Sequence, residues 1–282
     1  EICALGLVGD DDSGRYALSV MEDEGVNTSL VGKKGATSFT YVMSDKISRE
    51  RTFFQYRGAN AHFSEDSFNW DDVDCDLLHI AYILLLDELD KEDSEYGTKM
   101  ARLLAHAKER GIKTSIDVVS ETGERFGRLV PPALRYTDYC IINEIEASRS
   151  TGIPLRAEDG ALIYENVKKV LSKLFELGVS EWAVIHSPEG GFGMDKDGDY
   201  AECGLVYTPS GFIKGKVGAG DAFCAGVLSA AHRGLSLLDA VKLGNAAATV
   251  SLRSPGATEA METIEETMRI CSELGFEPVK LN

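Results

Sequence analysis

The sequence predicts an α/β protein with a doubly wound, mostly parallel sheet, helices on both faces and a small β hairpin. From residue 76 onward, apolar strand segments alternate with amphipathic helical segments, which is typical of a parallel sheet covered on both faces. The runs TSFTYVMSD and RTFFQYRG, joined by DKISRE, are instead rich in aromatic and β-branched residues and predict a hairpin. A chain of 282 residues with 44% hydrophobic content is long enough to bury a large core.

The predicted elements follow a simple order. The chain opens with a buried strand, EICALGLVG, and a helix that begins near the acidic residues 10–12 and ends at Gly25. After the hairpin, helices separate the strands DLLHIAYILLL, KTSIDVV, DYCII and WAVIHS, and a hairpin rich in Gly and Asp follows. The segment GFIKGKV is interpreted as a last strand, and the remainder is helical, with Thr263 as a predicted N-cap and Gly275 as a terminator.

Composition excludes several classes of partner. Lys and Arg total 29 against 46 Asp and Glu, and the net charge of -17 argues against nucleic acid or an anionic membrane surface. A phosphate-bearing small molecule is not excluded, because a metal ion and helix N–H groups act at contact distance. The six cysteines form no C-x-x-C pair and are interpreted as reduced core residues. No apolar stretch approaches membrane-spanning length, so the expected compartment is the cytoplasm.

The strongest local signal is Gly218-Ala219-Gly220-Asp221, which lies directly before a long helical pattern. Unpaired N–H groups and the positive end of the dipole make a helix N-terminus an anion site. A carboxylate placed there can accept the proton of a hydroxyl that attacks a phosphoryl group. On composition alone, however, an ordinary helix cap with Asp221 as the N-cap residue is the favoured interpretation.

The longer segment KGKVGAGDAFCAG resembles the C-terminal signature of the PfkB, or ribokinase, family of carbohydrate kinases. The resemblance implies a ribokinase-like fold and ATP-dependent phosphorylation of a hydroxymethyl group on a small carbohydrate. It also implies that Gly218, Ala219 and Gly220 form an anion hole and that Asp221 deprotonates the acceptor. The family usually has Asp-Thr-x before GAGD, whereas residues 215–217 are Gly-Lys-Val here, so we expect weak or no activation by K⁺.

A second segment, IINEIEAS, leaves a predicted strand and enters a helix. Spacing of three places Asn143 and Glu146 on one side of the first turn, and oxygen ligands of this kind suit Mg²⁺. The segment resembles the family's N-x-x-E motif, which is associated with Mg²⁺ and phosphate. A helix cap with acidic first-turn residues explains the same pattern.

Two further segments resemble nucleotide-binding parts of the family fold. Residues 244–248 and 254–257 resemble the lining of the adenine pocket, and from them we assign Asn245 and Gly256 to the nucleotide. Residues 187–191 follow a buried strand where the family has a nucleotide-side loop, and we assign Ser187 and Gly191, although Pro188 interrupts the match. Close helix packing is the alternative for the Ala-rich segment.

The substrate side is predicted from the hairpin and from one strand end. The hairpin resembles the small β lid that closes over sugar in these kinases, which divides the chain into a lid, residues 33–63, and a core, residues 1–32 and 64–282. We assign Tyr56 and Arg57 to the substrate, because a guanidinium can bind a carboxylate or several hydroxyls, with a surface arginine as the alternative. Asp117, at the end of a parallel strand, is the third substrate candidate.

Smaller resemblances complete the assignment. The turn GDDDSG at residues 9–14 resembles the family's G-x-D-x-x-G turn and is interpreted as a structural cap of the first helix. The family's N-terminal strand, sugar-holding Asp and Gly-Gly segment have no counterpart here, and a longer protein and a genuine fragment both stay open. We predict ATP and a small sugar as ligands, no nucleic-acid or membrane partner, and a homodimer formed through the lid.

Several functions stay open within and beyond this family. The expected acceptor is fructose-, ribose- or 2-keto-3-deoxygluconate-like, and the alternatives are a nucleoside kinase of the same fold or a catalytically inactive sugar-binding relative. The presence of Asp221 favours catalysis over the inactive relative. No G-x-G-x-x-G follows the first strand and no P-loop motif occurs, which argues against a dinucleotide-dependent oxidoreductase or a P-loop enzyme. We assign none of the five histidines a catalytic role.

Overall fold

The computed structural model describes residues 1–44, 51–119 and 123–279. They divide into two compact units, of which unit 1 is Glu1–Cys75 with Tyr82–Leu103 and unit 2 is Asp76–Ala81 with Leu104–Asn282. The predicted lid boundaries at residues 33 and 63 stay a prediction.

The helices and strands appear in the predicted alternating order. In chain order they are β1 (Cys3–Val8), α1 (Asp12–Asp23), β2 (Asn27–Lys33), β3 (Phe39–Ser44), β4 (Arg51–Tyr56), β5 (Leu77–Ile83), β6 (Glu92–Asp93), β7 (Gly97–Thr98), α2 (Lys99–Glu109), β8 (Lys113–Val118), α3 (Arg125–Leu134), β9 (Tyr139–Asn143), α4 (Glu144–Thr151), α5 (Val167–Leu177), β10 (Trp182–Ser187), β11 (Gly190–Asp195), β12 (Tyr200–Gly204), α6 (Ala219–His232), α7 (Leu237–Ser251) and α8 (Ile264–Leu274). None of the helices in the described part of the chain is long and apolar enough to cross a membrane.

Unit 1 contains two small sheets at its N-terminal end. Strands β1 and β2 pair in parallel, and β3 and β4 form the predicted antiparallel hairpin. The predicted hairpin turn, DKISRE, lies outside the described residues. The sequence therefore predicts correctly which two segments of this region pair with each other.

The turn before α1 is a cap, as its resemblance predicts. Asp11 is the N-cap residue, and its carboxylate accepts hydrogen bonds from the backbone N–H of Gly14 at 2.8 Å and of Thr37 at 2.8 Å. The Thr37 hydroxyl also donates to it, and these bonds hold the pKa of Asp11 below its usual range. The turn thus joins the start of α1 to the segment that leads into β3.

The large sheet has the strand order β12-β11-β10-β9-β8-β5. Strands β8, β9 and β10 run parallel, while β10, β11 and β12 form an antiparallel meander at one end. The segment GFIKGKV is not a strand, and the prediction was wrong there: its backbone instead contacts the end of α7, where Lys214 N–H donates to the carbonyl of Leu252 at 2.7 Å.

Strand β11 shows how helices cover both faces of this sheet. A Cβ atom added to Gly191 would lie 2.7 Å from Val241 Cγ1 on α7, and one added to Gly193 would lie 2.9 Å from Leu237 Cδ1. On the opposite face, Phe192 packs edge-on against Tyr164 just before α5. The alternating glycines therefore let α6 and α7 pack directly on the strand backbone, while the larger side chains fill the other face.

Helices α6 and α7 approach each other through glycines as well. A Cβ atom on Gly226 would lie 2.8 Å from the carbonyl oxygen of Leu243 and 2.9 Å from Gly244 Cα. A Cβ atom on Gly244 would meet Val227 and Phe223 at 2.9 and 3.0 Å. These contacts place the helix backbones nearly against each other, which fixes the position of α6 and so of its N-terminal turn.

The six cysteines are all free thiols, as predicted. Cys140, Cys203, Cys224 and Cys271 are buried, whereas Cys3 is exposed and Cys75 is partly exposed. The interpretation of all six as core residues was therefore wrong for these last two, which lie near the ends of short segments in unit 1.

The helix contact predicts opposite effects for two glycine substitutions. Gly226→Ala should lower the free energy of unfolding by about 1–3 kcal/mol, because the added methyl group overpacks the α6–α7 contact. Gly127→Ala, at an exposed position of α3 with no atom within 4 Å of an added Cβ, should raise it by ~0.5–1 kcal/mol through helix propensity. Urea denaturation of both variants measures the difference, and an equal effect of the two changes would contradict the close helix contact.

Candidate active site

The N-terminus of α6 has no side-chain cap. Its N-cap residue is Gly218, which has a φ of 77° and makes no side-chain cap hydrogen bond. By contrast, Ser236 caps α7 and Thr263 caps α8 through their side chains. Asp221 is the third residue of α6, so the alternative with Asp221 as the N-cap residue was wrong. Backbone N–H groups at the start of α6 are consequently available to an anion.

Glycine is required at the N-cap for two reasons. The positive φ of Gly218 is strained for other residues, and an added Cβ would lie 2.8 Å from Ala257 Cβ. Gly215 packs equally closely against Ser254 and Pro255. The structure thus brings together the GAGD turn and the segment 254–257, two regions that the sequence assigns to phosphate and adenine.

Two histidines that the sequence assigns no role lie near Asp221. A Cβ atom on Gly220 would be 3.3 Å from His186 Cε1, and the His186 ring packs on Phe223 with centroids 5.0 Å apart. His79 places Nε2 4.0 Å from Cys224 Sγ, one turn beyond Asp221 in α6. Burial lowers the pKa of both histidines to about 4, against the opposing effect of the Asp221 charge. Both rings are therefore neutral near pH 7.

Asp117 is buried at the end of β8 and lies in the field of two other carboxylates. Burial and, to a smaller extent, the charges of Glu146 and Asp221 raise its pKa, a hydrogen bond from the N–H of Val118 lowers it, and together they bring it to about 8. Asp117 is consequently mostly protonated near pH 7. The structure places this predicted substrate residue in the same electrostatic cluster as the predicted base and metal ligand, all within unit 2.

Asn143 and Glu146 form a capping box at the start of α4. The Asn143 side-chain oxygen accepts from Ile145 N–H at 3.0 Å and Glu146 N–H at 2.9 Å, and Glu146 Oε2 accepts from Asn143 N–H at 3.0 Å. Among the described residues, no cluster of three or more acidic, His or Cys side chains has metal-binding geometry. The side-chain oxygens of these two residues are ligands of the type that Mg²⁺ prefers. Two such groups are enough, because this ion keeps several of its waters and binds few protein groups. Their metal role stays a prediction.

The residues assigned to the nucleotide have packing partners in the structure. Asn245 is buried and its amide donates to the carbonyls of Cys203 at 2.8 Å and Gly204 at 3.0 Å, which ties α7 to β12. Gly191 is a buried packing residue of β11, and Gly256 lies against Glu259. The Ser187 hydroxyl donates to Glu189 Oε2 at 2.8 Å. These contacts give each residue a structural role, and nucleotide binding by them stays a prediction.

Arg57 of unit 1 already has partners of its own. Its Nη1 donates to the carbonyl oxygen of Leu84 at 2.7 Å and to Asp87 Oδ1 at 2.8 Å. Leu84 has a φ of 81°, which is rare for a residue with a side chain, and its N–H donates to Asp90 Oδ1. Arg57 therefore supports a strained turn after β5. Tyr56 is about half exposed and packs against Phe39, and substrate binding by both residues stays a prediction.

The raised pKa of Asp117 predicts a particular pH dependence of stability. Between pH ~4 and the folded-state pKa of about 8, Asp117 keeps its proton in the folded chain but loses it in the unfolded chain. The free energy of unfolding therefore falls as pH rises through this range. Asp117→Asn should remove a slope of up to ~1.4 kcal/mol per pH unit in this window. Urea denaturation between these pH values measures it. The exposed control Asp197→Asn should keep the wild-type slope, and an unchanged slope in Asp117→Asn would contradict the protonated state.

Comparison with known proteins agrees with this arrangement of motifs. Residues 1–264 match the model of the pfkB family carbohydrate kinases. An uncharacterized sugar kinase of Archaeoglobus fulgidus is 24% identical over 269 residues, which cover 93% of this chain and 95% of the relative. The crystal structure of 2-dehydro-3-deoxygluconokinase from Thermotoga maritima has a TM-score of 0.78 at 18% identity, covering 96% of this chain and 84% of that one. Ribokinase of Arabidopsis thaliana, complexed with ribose and ATP, has a TM-score of 0.70 at 18% identity, covering 95% and 81%. Because the family model matches nearly the whole sequence, this chain belongs to the pfkB family of carbohydrate kinases.

Proposed function

We propose that this chain transfers the γ-phosphoryl group of ATP to a hydroxymethyl group of a small carbohydrate, with Asp221 as the general base. The main supporting observation is an exposed carboxylate in the first turn of a helix whose N-terminus has no side-chain cap. The N–H groups of the GAGD turn bind the oxygens of the phosphoryl group in transfer, and Asp221 accepts the proton of the attacking hydroxyl. Family membership and the sugar and ATP bound by the solved ribokinase support the same pair of ligands.

The surroundings of Asp221 contain fewer charges than the residue types suggest. The neighbouring histidines are neutral and Asp117 is mostly protonated near pH 7, because burial shifts the pKa of each. A neutral Asp117 can donate a hydrogen bond from its carboxyl group, which an ionised one cannot. We therefore propose that Asp117 donates to a hydroxyl or carbonyl oxygen of the substrate, while Asp221 accepts the proton.

Mg²⁺ and the monovalent cation enter the proposal differently. Mg²⁺ bound with ATP would offset negative charge on its phosphates, and Asn143 and Glu146 would hold the ion through its waters. For K⁺ we propose weak or no activation, because residues 215–217 lack the acidic residue that the family usually has there.

Structural relatives named 2-dehydro-3-deoxygluconokinase and ribokinase support a small carbohydrate as the acceptor. We propose a fructose-, ribose- or 2-keto-3-deoxygluconate-like acceptor. The cytoplasm is the proposed compartment, because all six cysteines are free thiols and four of them are buried.

Substitution of the proposed base tests the reaction directly. Asp221→Asn should lower kcat at least ~10²-fold while ATP binding stays nearly intact, because the amide cannot accept the proton. Asp239→Asn, in the exposed first turn of α7, is the matched control and should keep wild-type kcat. An ADP-release assay with a panel of sugars, sugar acids and nucleosides measures both. Near wild-type turnover in Asp221→Asn would refute the assignment.

We also propose that the β3–β4 hairpin pairs with a second copy of this chain. In the register of the hairpin, Phe39 is opposite Tyr56 and Tyr41 is opposite Phe54, so these rings share one face with Met43. All five side chains are between 47% and 67% exposed. An apolar face of this kind on a two-stranded ribbon is typical of an interaction surface.

Charge placed on this face tests the proposed pairing. Tyr41→Lys should convert a wild-type dimer into a monomer, because an ammonium group would be buried in an apolar contact. Tyr16→Lys on α1, where the ring is 72% exposed, should leave the dimer intact. Sedimentation velocity over a range of concentrations measures the assembly, and a wild-type chain that stays monomeric throughout would exclude the dimer.

A further inference from the structure

One guanidinium in unit 2 binds two carboxylates from different turns. Arg156 Nε and Nη2 donate to Glu144 Oε1 at 3.1 and 2.7 Å, and its Nη1 and Nη2 donate to the two oxygens of Glu189 at 2.6 and 2.8 Å. The three side chains are only 11–17% exposed. Bidentate pairing at low exposure distinguishes this group from solvated ion pairs such as those of Arg269 with Glu266 and Glu273.

The two carboxylates belong to the turns that the sequence assigns to Mg²⁺ and nucleotide. Glu144 is the first residue of α4 and lies between the capping partners Asn143 and Glu146. Glu189 lies in the β10–β11 turn and accepts the hydroxyl of Ser187 as well. In the parallel pairing of β9 with β10, Asn143 is opposite His186, so both turns leave the sheet at the same edge. Arg156 is thus hydrogen-bonded to the first turn of α4 and to the β10–β11 turn at the same time.

Arg156 also offsets negative charge at this edge of the sheet. Without it, Glu144 and Glu189 would present two buried negative charges beside the turns proposed to hold a polyphosphate. Burial raises the pKa of Glu189, but the hydrogen bonds from Arg156 and Ser187 lower it more. The pKa therefore lies below its usual range, which keeps this carboxylate ionised. Arg156 also donates to the carbonyl of Gly160, so its own segment is anchored to the same group.

We propose that Arg156 is a positioning residue for the nucleoside triphosphate. It fixes the start of α4 and the β10–β11 turn relative to each other and neutralises the two carboxylates that would otherwise repel the phosphates. This role rests on the proposed kinase function. A lysine cannot reproduce it fully, because one ammonium group cannot make the four planar contacts of the guanidinium.

The test compares ATP with sugar in a set of variants. Arg156→Met should raise the KM and Kd for ATP by about tenfold or more while the KM for the sugar changes less than about twofold, and Arg156→Lys should lie between Met and wild type. Adding Glu189→Gln to Arg156→Met should recover part of the ATP affinity, because it removes an unpaired charge. Arg269→Met is the matched control, since Arg269 also binds two carboxylates, Glu266 and Glu273, but on the exposed face of α8.

The measurements are steady-state kinetics and calorimetric titration with ATP, with thermal unfolding as a check that each variant is folded. Equal weakening of ATP and sugar binding, or no recovery by Glu189→Gln, would show a general structural link and overturn the proposal. If Arg156→Met does not fold, wild-type ATP affinity in Arg156→Lys overturns it equally. If the wild-type chain phosphorylates a sugar with ATP and Arg156→Lys has the wild-type affinity for ATP, only this inference is refuted. A wild-type chain that neither binds nor uses ATP refutes both this inference and the proposed function.

Discussion

The position of the candidate base depends on how closely α6 and α7 approach each other. Gly226 and Gly244 allow the two helices to touch nearly at their backbones, and Gly191 and Gly193 allow both helices to pack on β11 without intervening side chains. A methyl group at any of these contacts has no space to occupy. The axis of α6 is therefore fixed at several points, and the GAGD turn is fixed with it. Local sequence leaves the start of this helix without a side-chain cap, but packing at residues far along the chain decides where that turn lies.

The parts of the structure that depend on local pattern could be predicted from the sequence. The hairpins, the parallel strands and the helix start at the GAGD turn each follow from periodicity or from turn residues within a few positions. The segment GFIKGKV could not be predicted in this way, because a backbone contact with Leu252 outweighs its strand-like composition. The packing role of Gly191 was missed for the same reason, since Val241 and Phe223, which exclude a side chain there, come much later in the sequence.

The chemistry of the site shows the same limit. Residue types mark Asp117, Glu146 and Asp221 as acidic candidates but do not give their protonation states. Burial changes the ordinary state of Asp117, which is mostly protonated near pH 7, and it keeps His79 and His186 neutral even below their usual pKa. No sequence pattern marks this change, which depends on how strands from separate parts of the chain enclose each group. The contacts of Arg156 were missed for a related reason: the carboxylates of Glu144 and Glu189 lie 12 and 33 residues from it, and no motif links the three.

The β3–β4 ribbon has a consequence for the behaviour of the purified chain. It contains two strands, so each strand has one outer edge with backbone groups that point away from its partner. One face is also apolar and exposed. Open edges beside an apolar face favour indiscriminate strand addition as readily as specific pairing. The ribbon is therefore the part of unit 1 at which strand addition between chains is expected as the concentration rises.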